Sequence, residues 1–310
     1  MGLTPLIPAG AAFVAVDWGT TRLRAYLIGA DGDVLDRVSE ASHGIQSIQA
    51  GGFPAALDAA CTAWFADAPE LPVIMTGMVG SRNGWVEAPY VPPPTGADDL
   101  AGSLLRVANT SRPIFIIPGV DCRDESGTYD VMRGEETQAI GVGVSDGLVC
   151  LPGTHSKWVE MRGGRIVHFA TFVTGELYAA LTQSFVGRLA EEPDDPAGAE
   201  TARRLAPLPG GLSRLIFQAR AQVLGGRMSG HAVRPYLSRL LIEQEVLGAL
   251  ALFGRERPVH LVAGPPQMEP YVAALAEHGF AASVYDPEST TVAGLTRLAS
   301  AAGLSQPLLR

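Results

Sequence analysis

Lysine is almost missing from this chain of 310 residues. Of its 23 basic residues only Lys157 is a lysine, and the rest are arginine. A compact ammonium and a planar guanidinium do different work, so a single lysine is either a site where the ammonium is wanted or a chance survivor. Positive charge as a whole is also short: 32 acidic residues leave a net charge of −9, which argues against an extended nucleic-acid surface. It leaves room for a small anionic ligand, which needs only local donors. Cysteine is scarce. Cys61, Cys122 and Cys150 lie far apart, with no CxxC spacing and an odd count. That excludes a disulfide framework or a zinc site and fits a reducing compartment. No apolar run approaches the roughly 18 residues of a membrane span. The opening MGLTPLIPAGAAF has no basic n-region, so it reads as a short flexible lead and the protein as cytoplasmic. The sequon Asn109-Thr110-Ser111 carries no weight without secretion. No GxxxxGK[ST] occurs, which disfavours a P-loop kinase, and no short-period repeat is present.

What remains is a globular chain, 47% hydrophobic and 18% charged, with length enough for two domains. It is organised around residues 13–27, FVAVDWGTTRLRAYL. A buried strand ends at Asp17, a turn of Gly19, Thr20 and Thr21 follows, and alternating apolar residues resume as a second strand. Glycine lets backbone N–H groups approach phosphate oxygens, and the hydroxyls add donors. The Asp17 carboxylate can hold Mg²⁺, directly or through water. The same residues also make an ordinary capped turn.

A second copy of this logic begins at residues 147–151 (GLVCL) and runs through Pro152-Gly153-Thr154-His155-Ser156-Lys157 into another strand. Strand, Gly-Thr turn, strand therefore occurs twice, which suggests two related halves. Between the copies, residues 34–40 predict a third strand, 53–66 a helix, 72–76 a buried strand, 98–107 a helix and 113–117 a strand. Residues 90–95 read as a rigid extended connector, 120–130 as a polar loop, and 133–144 as a helix opened by Arg133-Gly134-Glu135-Glu136. The exit of the strand at 72–76 is a glycine-rich stretch, Gly77-Met78-Val79-Gly80-Ser81-Arg82-Asn83-Gly84-Trp85, and in α/β sheets ligands sit beyond such strand ends. After a strand at 166–172 the chain turns helical, at 175–189, 211–224 and 235–253. A strand at 258–262 opens into Ala263-Gly264, and a helix at 268–278, a strand at 282–285 and a small-residue helix at 290–301 close the chain.

Taken together, Asp17-x-Gly19-Thr20, Pro152-Gly153-Thr154-His155-Ser156 and Val262-Ala263-Gly264 resemble the two phosphate motifs and the adenosine motif of the sugar-kinase, hexokinase and actin superfamily. Within it the chain most resembles the 2-dehydro-3-deoxygalactonokinases. The shared segments VDWGTTRLRAYL, MTGMVGSRNGW, DVMRGEETQAIG, LPGTHSKWV, FVTGEL and LVAG occur in that order. The resemblance implies an α/β, two-domain actin-like (ribonuclease H-like) ATPase fold, with domains at 1–145 and 146–310 around a cleft and the helix at 290–301 near the hinge. It implies phosphorylation of 2-dehydro-3-deoxy-D-galactonate at its C6 hydroxyl by ATP and Mg²⁺, with a small sugar acid as the partner molecule and neither nucleic acid nor membrane. Oligomeric state is open, a homodimer included.

The resemblance also distributes roles. Gly19, Thr20 and Thr21 contact the β- and γ-phosphates with Asp17 on the metal; Gly153, Thr154 and His155 hold the phosphates from the second motif. Lys157 reaches a phosphate or pairs with an acid, and Ala263 and Gly264 meet the adenosine. The catalytic base is Glu135, with Glu136 as the alternative; the superfamily has an aspartate in the corresponding segment, so the glutamate is a departure. Both carboxylates also suit the first turn of a helix for its dipole alone. Arg24, Arg82 or Arg133 meets the substrate carboxylate in a bidentate pair, and Ser81, Asn83 and Trp85 line the sugar. A kinase of another aldonate or hexose, and a non-catalytic actin-like nucleotide-binding protein, are the competing readings.

Overall fold

The computed structural model describes residues 7–40, 43–124 and 126–307. The lead expected at the N-terminus falls largely on residues 1–6, outside the described residues. The chain divides into two units. The first comprises Met1–Asp146, Met161–Phe169 and Asp286–Arg310; the second comprises Gly147–Glu160 and Ala170–Tyr285. The C-terminal helix, Pro287–Ala301, thus belongs to the first unit, although the sequence reading grouped it with residues 146–310.

In the first unit, β1 (Ala11–Trp18), β2 (Leu23–Gly29) and β3 (Val34–Glu40) form an antiparallel meander, and β4 (Val73–Thr76) pairs parallel to β1. β1 is central and covered on both faces, which is why it reads as a near-continuous apolar run. β3 is the edge, and none of its residues is buried: Leu35, Val38 and Glu40 are half-buried and the others exposed. β5 (Tyr90–Val91) pairs parallel with β8 (Gly119–Arg123) in a small second sheet, where β9 (Tyr129–Met132) is antiparallel to β8. β6 (Leu105–Arg106) and β7 (Ile114–Ile116) complete the large sheet, in the order β3-β2-β1-β4-β7-β6.

Three expectations change here. The helix foreseen at 53–66 is two, α1 (Phe53–Ala60) and α2 (Thr62–Asp67). Thr62 turns its hydroxyl back onto the carbonyls of Asp58 and Ala59, in competition with the backbone, where α1 gives way to α2. The helix foreseen at 98–107 is α3 (Ala97–Gly102) only, because Leu105–Arg106 finds the edge of β7. The polar loop foreseen at 120–130 is the β8–β9 hairpin. Val120 and Cys122 are buried and alternate with Asp121 and Arg123, a period-2 signal that the polar residues obscured.

α4 (Glu135–Val142) carries the two candidate carboxylates, and the C-terminal helix packs on it through reciprocal glycines. A Cβ on Gly141 would stand 1.8 Å from the Thr290 carbonyl oxygen, and one on Gly294 would stand 2.0 Å from that of Thr137. Gln138 adds a hydrogen bond from Nε2 to the Thr291 hydroxyl at 3.0 Å.

The second unit is built on β10 (Gly147–Leu151), β11 (Ser156–Arg162), β12 (Arg165–Phe172), β13 (Val259–Val262) and β14 (Ala282–Tyr285), in the order β12-β11-β10-β13-β14. β13 is parallel to both β10 and β14. Third, second, first, then the parallel strand: this is the order of the first sheet, as the repeated turn motif suggested. The helices are α5 (Thr174–Gln183), α6 (Ala197–Leu205), α7 (Gly211–Leu224), α8 (Val233–Phe253) and α9 (Pro265–Glu277). α8 is the longest. It buries Tyr236, Leu237 and Leu240 among helices and Val246, Ala249 and Leu250 against the sheet side. No helix among the described residues is long and apolar enough to cross a membrane, and the three cysteines are buried and free.

The glycine contact gives a direct expectation. Gly294→Ala gains about 1 kcal/mol of helix propensity but overpacks the helix pair, at a cost of about 1–3 kcal/mol or more. Thermal unfolding should show a lower Tm; an unchanged or raised Tm would mean that the two helices are not in backbone contact.

Candidate active site

β1 and β4 end together. Their parallel register pairs Asp17 with Thr76, and the antiparallel register with β2 places Arg24 across from Asp17. Arg24 Nη1 donates to Asp17 Oδ2 at 2.9 Å. Burial pushes the Asp17 carboxyl above the usual aspartate range despite the guanidinium, and the charge of Glu288 acts in the same direction. The following turn is closed by the Gly19 N–H on the Arg22 carbonyl at 2.9 Å. Residues 43–46 latch it from outside. Ile45 and Gln46 N–H groups donate to the Gly19 and Thr20 carbonyls at 3.0 and 3.2 Å, and the Trp18 indole donates to the His43 carbonyl at 2.7 Å. Gly44 is required there: a Cβ would lie 2.2 Å from the Thr21 carbonyl carbon. The turn's carbonyls are thereby tied inward, while Thr20 and Thr21 stay exposed.

Beyond β4 the chain passes Gly77, at φ 94° and ψ −156°, a region open in practice to glycine alone. A Cβ at Gly77 would stand 2.9 Å from the Trp18 carbonyl oxygen and 3.5 Å from Asp17 Oδ1. Gly134, at φ 106°, comes down on the other side; its Cβ would be 3.3 Å from the Gly77 Cα. Two glycine backbones in contact bring the start of α4 to the strand ends that carry Asp17.

Glu136 locks that junction. It has no exposure. Its Oε2 accepts the Gly134 N–H at 2.6 Å, its Oε1 accepts the Thr137 hydroxyl at 3.0 Å, and Thr76 and Thr137 hydroxyls are 2.7 Å apart. Burial, reinforced by the neighbouring Glu135 charge, raises its carboxyl to about 7 against those stabilising bonds. Glu135 is half-buried, and its Oε2 accepts the Arg133 N–H at 3.0 Å. The two carboxylates that the sequence left as alternatives thus have different surroundings. Glu136 is a sealed, internally bonded group, and Glu135 is the one with a solvent-facing part.

The other first-unit candidates are less alike. Arg133 lays its guanidinium over the Tyr90 ring at 4.5 Å and donates from Nη2 to the Ala88 carbonyl at 2.7 Å. Its Nε and Nη1 are buried without a hydrogen-bond acceptor. Arg82 has a side chain 86% exposed, with Glu87 3.7 Å away. Ser81 donates to the Met78 carbonyl inside its own loop, Asn83 is exposed, and Trp85 stacks on Phe53 at 6.2 Å. Trp85 is therefore part of the first unit's apolar packing.

In the second unit, the turn Gly153-Thr154-His155 joins β10 to β11. α5 starts against it: a Cβ on Gly175 would meet the Gly153 carbonyl oxygen at 2.4 Å, the Glu176 N–H donates to the Thr154 carbonyl at 3.0 Å, and His155 Nε2 pairs with Glu176 Oε2 at 2.5 Å. Lys157 is in the strand, only 5% exposed, on the face opposite Ser156 and Trp158. Ala263 and Gly264 lie between β13 and α9, with the Ala263 N–H on the Tyr285 carbonyl at 3.2 Å. A Cβ at Gly264 would meet nothing within 4 Å, so glycine leaves open space at this helix start.

Sequence reasoning left out the residues that support these turns: Gly44, Thr76 and Thr137 in the first unit, and Thr174, Gly175, Glu245 and Tyr271 in the second. The segments MTG and FVTGEL contained some of them, but a hydroxyl's partner is visible only in three dimensions.

The chain matches the family model described as 2-keto-3-deoxy-galactonokinase over residues 17–298. It is 34% identical to the 2-dehydro-3-deoxygalactonokinase of Escherichia coli (strain K12), covering 94% of this chain and 98% of that one. A relative from Rhizobium meliloti (strain 1021) is 37% identical, over 93% of this chain and 97% of the other. A crystal structure from Sinorhizobium meliloti, 36% identical, superposes with a TM-score of 0.86 over 93% of this chain and 98% of that chain.

Gly77 offers the sharpest steric check on the first unit's site. Gly77→Ala should destabilise the protein by about 1–3 kcal/mol through its forced backbone conformation. Gly102→Ala, where a Cβ would meet nothing within 4 Å, should be nearly neutral. Equal denaturant midpoints for the two variants would contradict the close approach at Gly77.

Proposed function

The chain belongs to the 2-keto-3-deoxy-galactonokinase family, and from that membership we propose that it transfers the γ-phosphoryl group of ATP to the C6 hydroxyl of 2-dehydro-3-deoxy-D-galactonate, in D-galactonate catabolism. It is a phosphotransferase of the actin-like α/β fold. The observation that carries the mechanistic reading is the convergence of Asp17 with the Glu135–Glu136 pair at the carboxyl ends of β1 and β4.

Glu135 is the base. The C6 hydroxyl proton passes to its carboxylate as the O6–Pγ bond forms and the bond between Pγ and the bridging oxygen breaks, releasing ADP. Glu136 keeps α4 in place beneath it. Asp17 would hold Mg²⁺, whose charge helps neutralise the phosphates. One carboxylate beside exposed hydroxyls suits an ion that keeps much of its water and binds phosphate oxygens. Thr20 and Thr21 donate to the phosphates from the first unit. Thr154 and His155 are the second unit's phosphate donors, and Ala263 and Gly264 meet the adenosine. Lys157, buried in its strand, is not assigned a phosphate.

The substrate carboxylate is assigned to Arg133. Its Nε and Nη1, on opposite edges of the guanidinium, are buried without an acceptor at a cost in free energy, and a substrate carboxylate oxygen on either edge relieves part of that cost. Three free buried cysteines suit action in the cytoplasm.

Glu135→Gln should lower kcat on the order of 10²–10⁴-fold with little change in nucleotide affinity; turnover near that of the parent enzyme would remove Glu135 from the role. A coupled ADP-release screen across 2-dehydro-3-deoxy-galactonate, its gluconate epimer and neutral hexoses tests the substrate. Turnover confined to the sugar acids, with the galactonate form fastest, is expected, and turnover of neutral hexoses alone would overturn the assignment.

A further inference from the structure

A second buried carboxyl group lies in the second unit, and nothing in the phosphoryl-transfer scheme uses it. Glu245, on α8, is 2% exposed. Its Oε1 accepts the Trp158 indole N–H at 2.9 Å and its Oε2 accepts the Tyr271 hydroxyl at 2.7 Å. The Thr174 hydroxyl donates to the same Oε2, and Ser156 Oγ is 3.2 Å from the Tyr271 oxygen. The Gly153 N–H in turn points to Ser156 Oγ at 3.4 Å. Every branch therefore leads from one carboxylate to the turn at 153–155. Ser156 ends the turn, Trp158 continues its strand, and Thr174 opens the helix whose Gly175 and Glu176 backbone closes on Gly153 and Thr154.

We propose that Glu245 is the positioning residue of the Gly153–Thr154–His155 turn, fixing the turn's geometry and thereby its affinity for the nucleotide phosphates. The role rests on the kinase reading above. An ionised carboxylate only accepts, so it sets the direction of the whole relay. Tyr271 must donate to Glu245, which leaves its oxygen to accept from the Ser156 hydroxyl, whose own lone pairs then accept the Gly153 N–H. Hydrogen bonds aligned head to tail strengthen one another in a low-dielectric interior. An amide in the same place carries two donor hydrogens and one oxygen, so at least one of the three side chains now donating to Glu245 loses its acceptor. Burial holds the Glu245 carboxyl above the ordinary glutamate range, and the hydrogen bonds of Thr174, Tyr271, Trp158 and Ser156 oppose that rise without cancelling it.

The test uses the full-length protein with two volume-conserving variants, Glu245→Gln and Tyr271→Phe, the second of which removes only a hydroxyl. Calorimetric titration with Mg²⁺ and a non-hydrolysable ATP analogue should show affinity falling about tenfold or more in Glu245→Gln, and by a smaller factor in Tyr271→Phe, as expected for lost bonds to a charged group. The KM for ATP should rise in step, whereas the affinity for the sugar acid, measured without nucleotide, should stay at its original value. A residue that only supports the fold would lower Tm and leave the nucleotide and sugar-acid affinities unchanged, or weaken both together. Either pattern would overturn the proposal, as would analogue binding by folded Glu245→Gln and Tyr271→Phe as tight as in the unsubstituted protein. Absence of analogue binding by the unsubstituted protein would overturn the kinase reading and this role together.

Discussion

A carboxyl group with no solvent exposure holds the first unit's site together. Glu136 accepts the backbone N–H of Gly134 and, through the hydroxyls of Thr137 and Thr76, connects the beginning of α4 to the end of β4. β4 is in parallel register with β1, so the same junction fixes the neighbourhood of Asp17. Removing water from such a group makes its charge costly. The site therefore rests on a group that favours its neutral form at a pH where an ordinary glutamate is ionised. Glycine is the other half of the arrangement. Gly77 and Gly134 let two backbones touch where any side chain would separate them, and Gly141 and Gly294 do the same for α4 and the C-terminal helix.

The second unit uses a comparable device with different parts. Its phosphate-type turn is likewise followed by a backbone that closes on it, at Gly175, as residues 43–46 close on the first turn. A buried glutamate again lies behind, although Glu245 comes from the middle of α8 and not from a helix start. Two sheets of the same strand order thus reach similar local solutions: backbone held from behind by buried polar groups, hydroxyls left outward. The difference is in the donors. Glu136 is held by a backbone N–H and neighbouring threonines, whereas Glu245 is held by side chains from three separate elements, β11, α5 and α9.

Much of this was legible in the sequence. The runs FVAVDW and GLVCL gave both central strands because a strand covered on two faces has few polar residues, and the Gly-Thr turns followed directly. The helix at 211–224 is observed at those bounds. Elements whose identity depends on an edge partner were not legible: β6 and the β8–β9 hairpin pair only because another strand is there. At the site, the residue types at Asp17 and Glu135–Glu136 pointed to their chemistry, but periodicity could not say which carboxylate is sealed. Trp85, read as lining the sugar, is half-buried, and its stacking on Phe53, far away in sequence, was visible only in space. Lys157, conspicuous by being alone, is a strand residue with little exposure.

The sealed state of Glu136 is best examined through its proton. Its carboxyl titrates near 7 in the folded protein against 4.5 in an unfolded chain. Below the lower value both states hold the proton and stability is complete. As pH rises between the two, the unfolded chain releases its proton first and stability falls, by about 3 kcal/mol in all, before levelling off above the folded value. Glu136→Gln cannot titrate. Denaturant unfolding of the two proteins, compared between about pH 5 and about pH 8, isolates that contribution because the other groups cancel in the difference. The account predicts that the unsubstituted protein loses stability relative to Glu136→Gln as pH rises. A difference that stays constant, or that moves the other way, would contradict it.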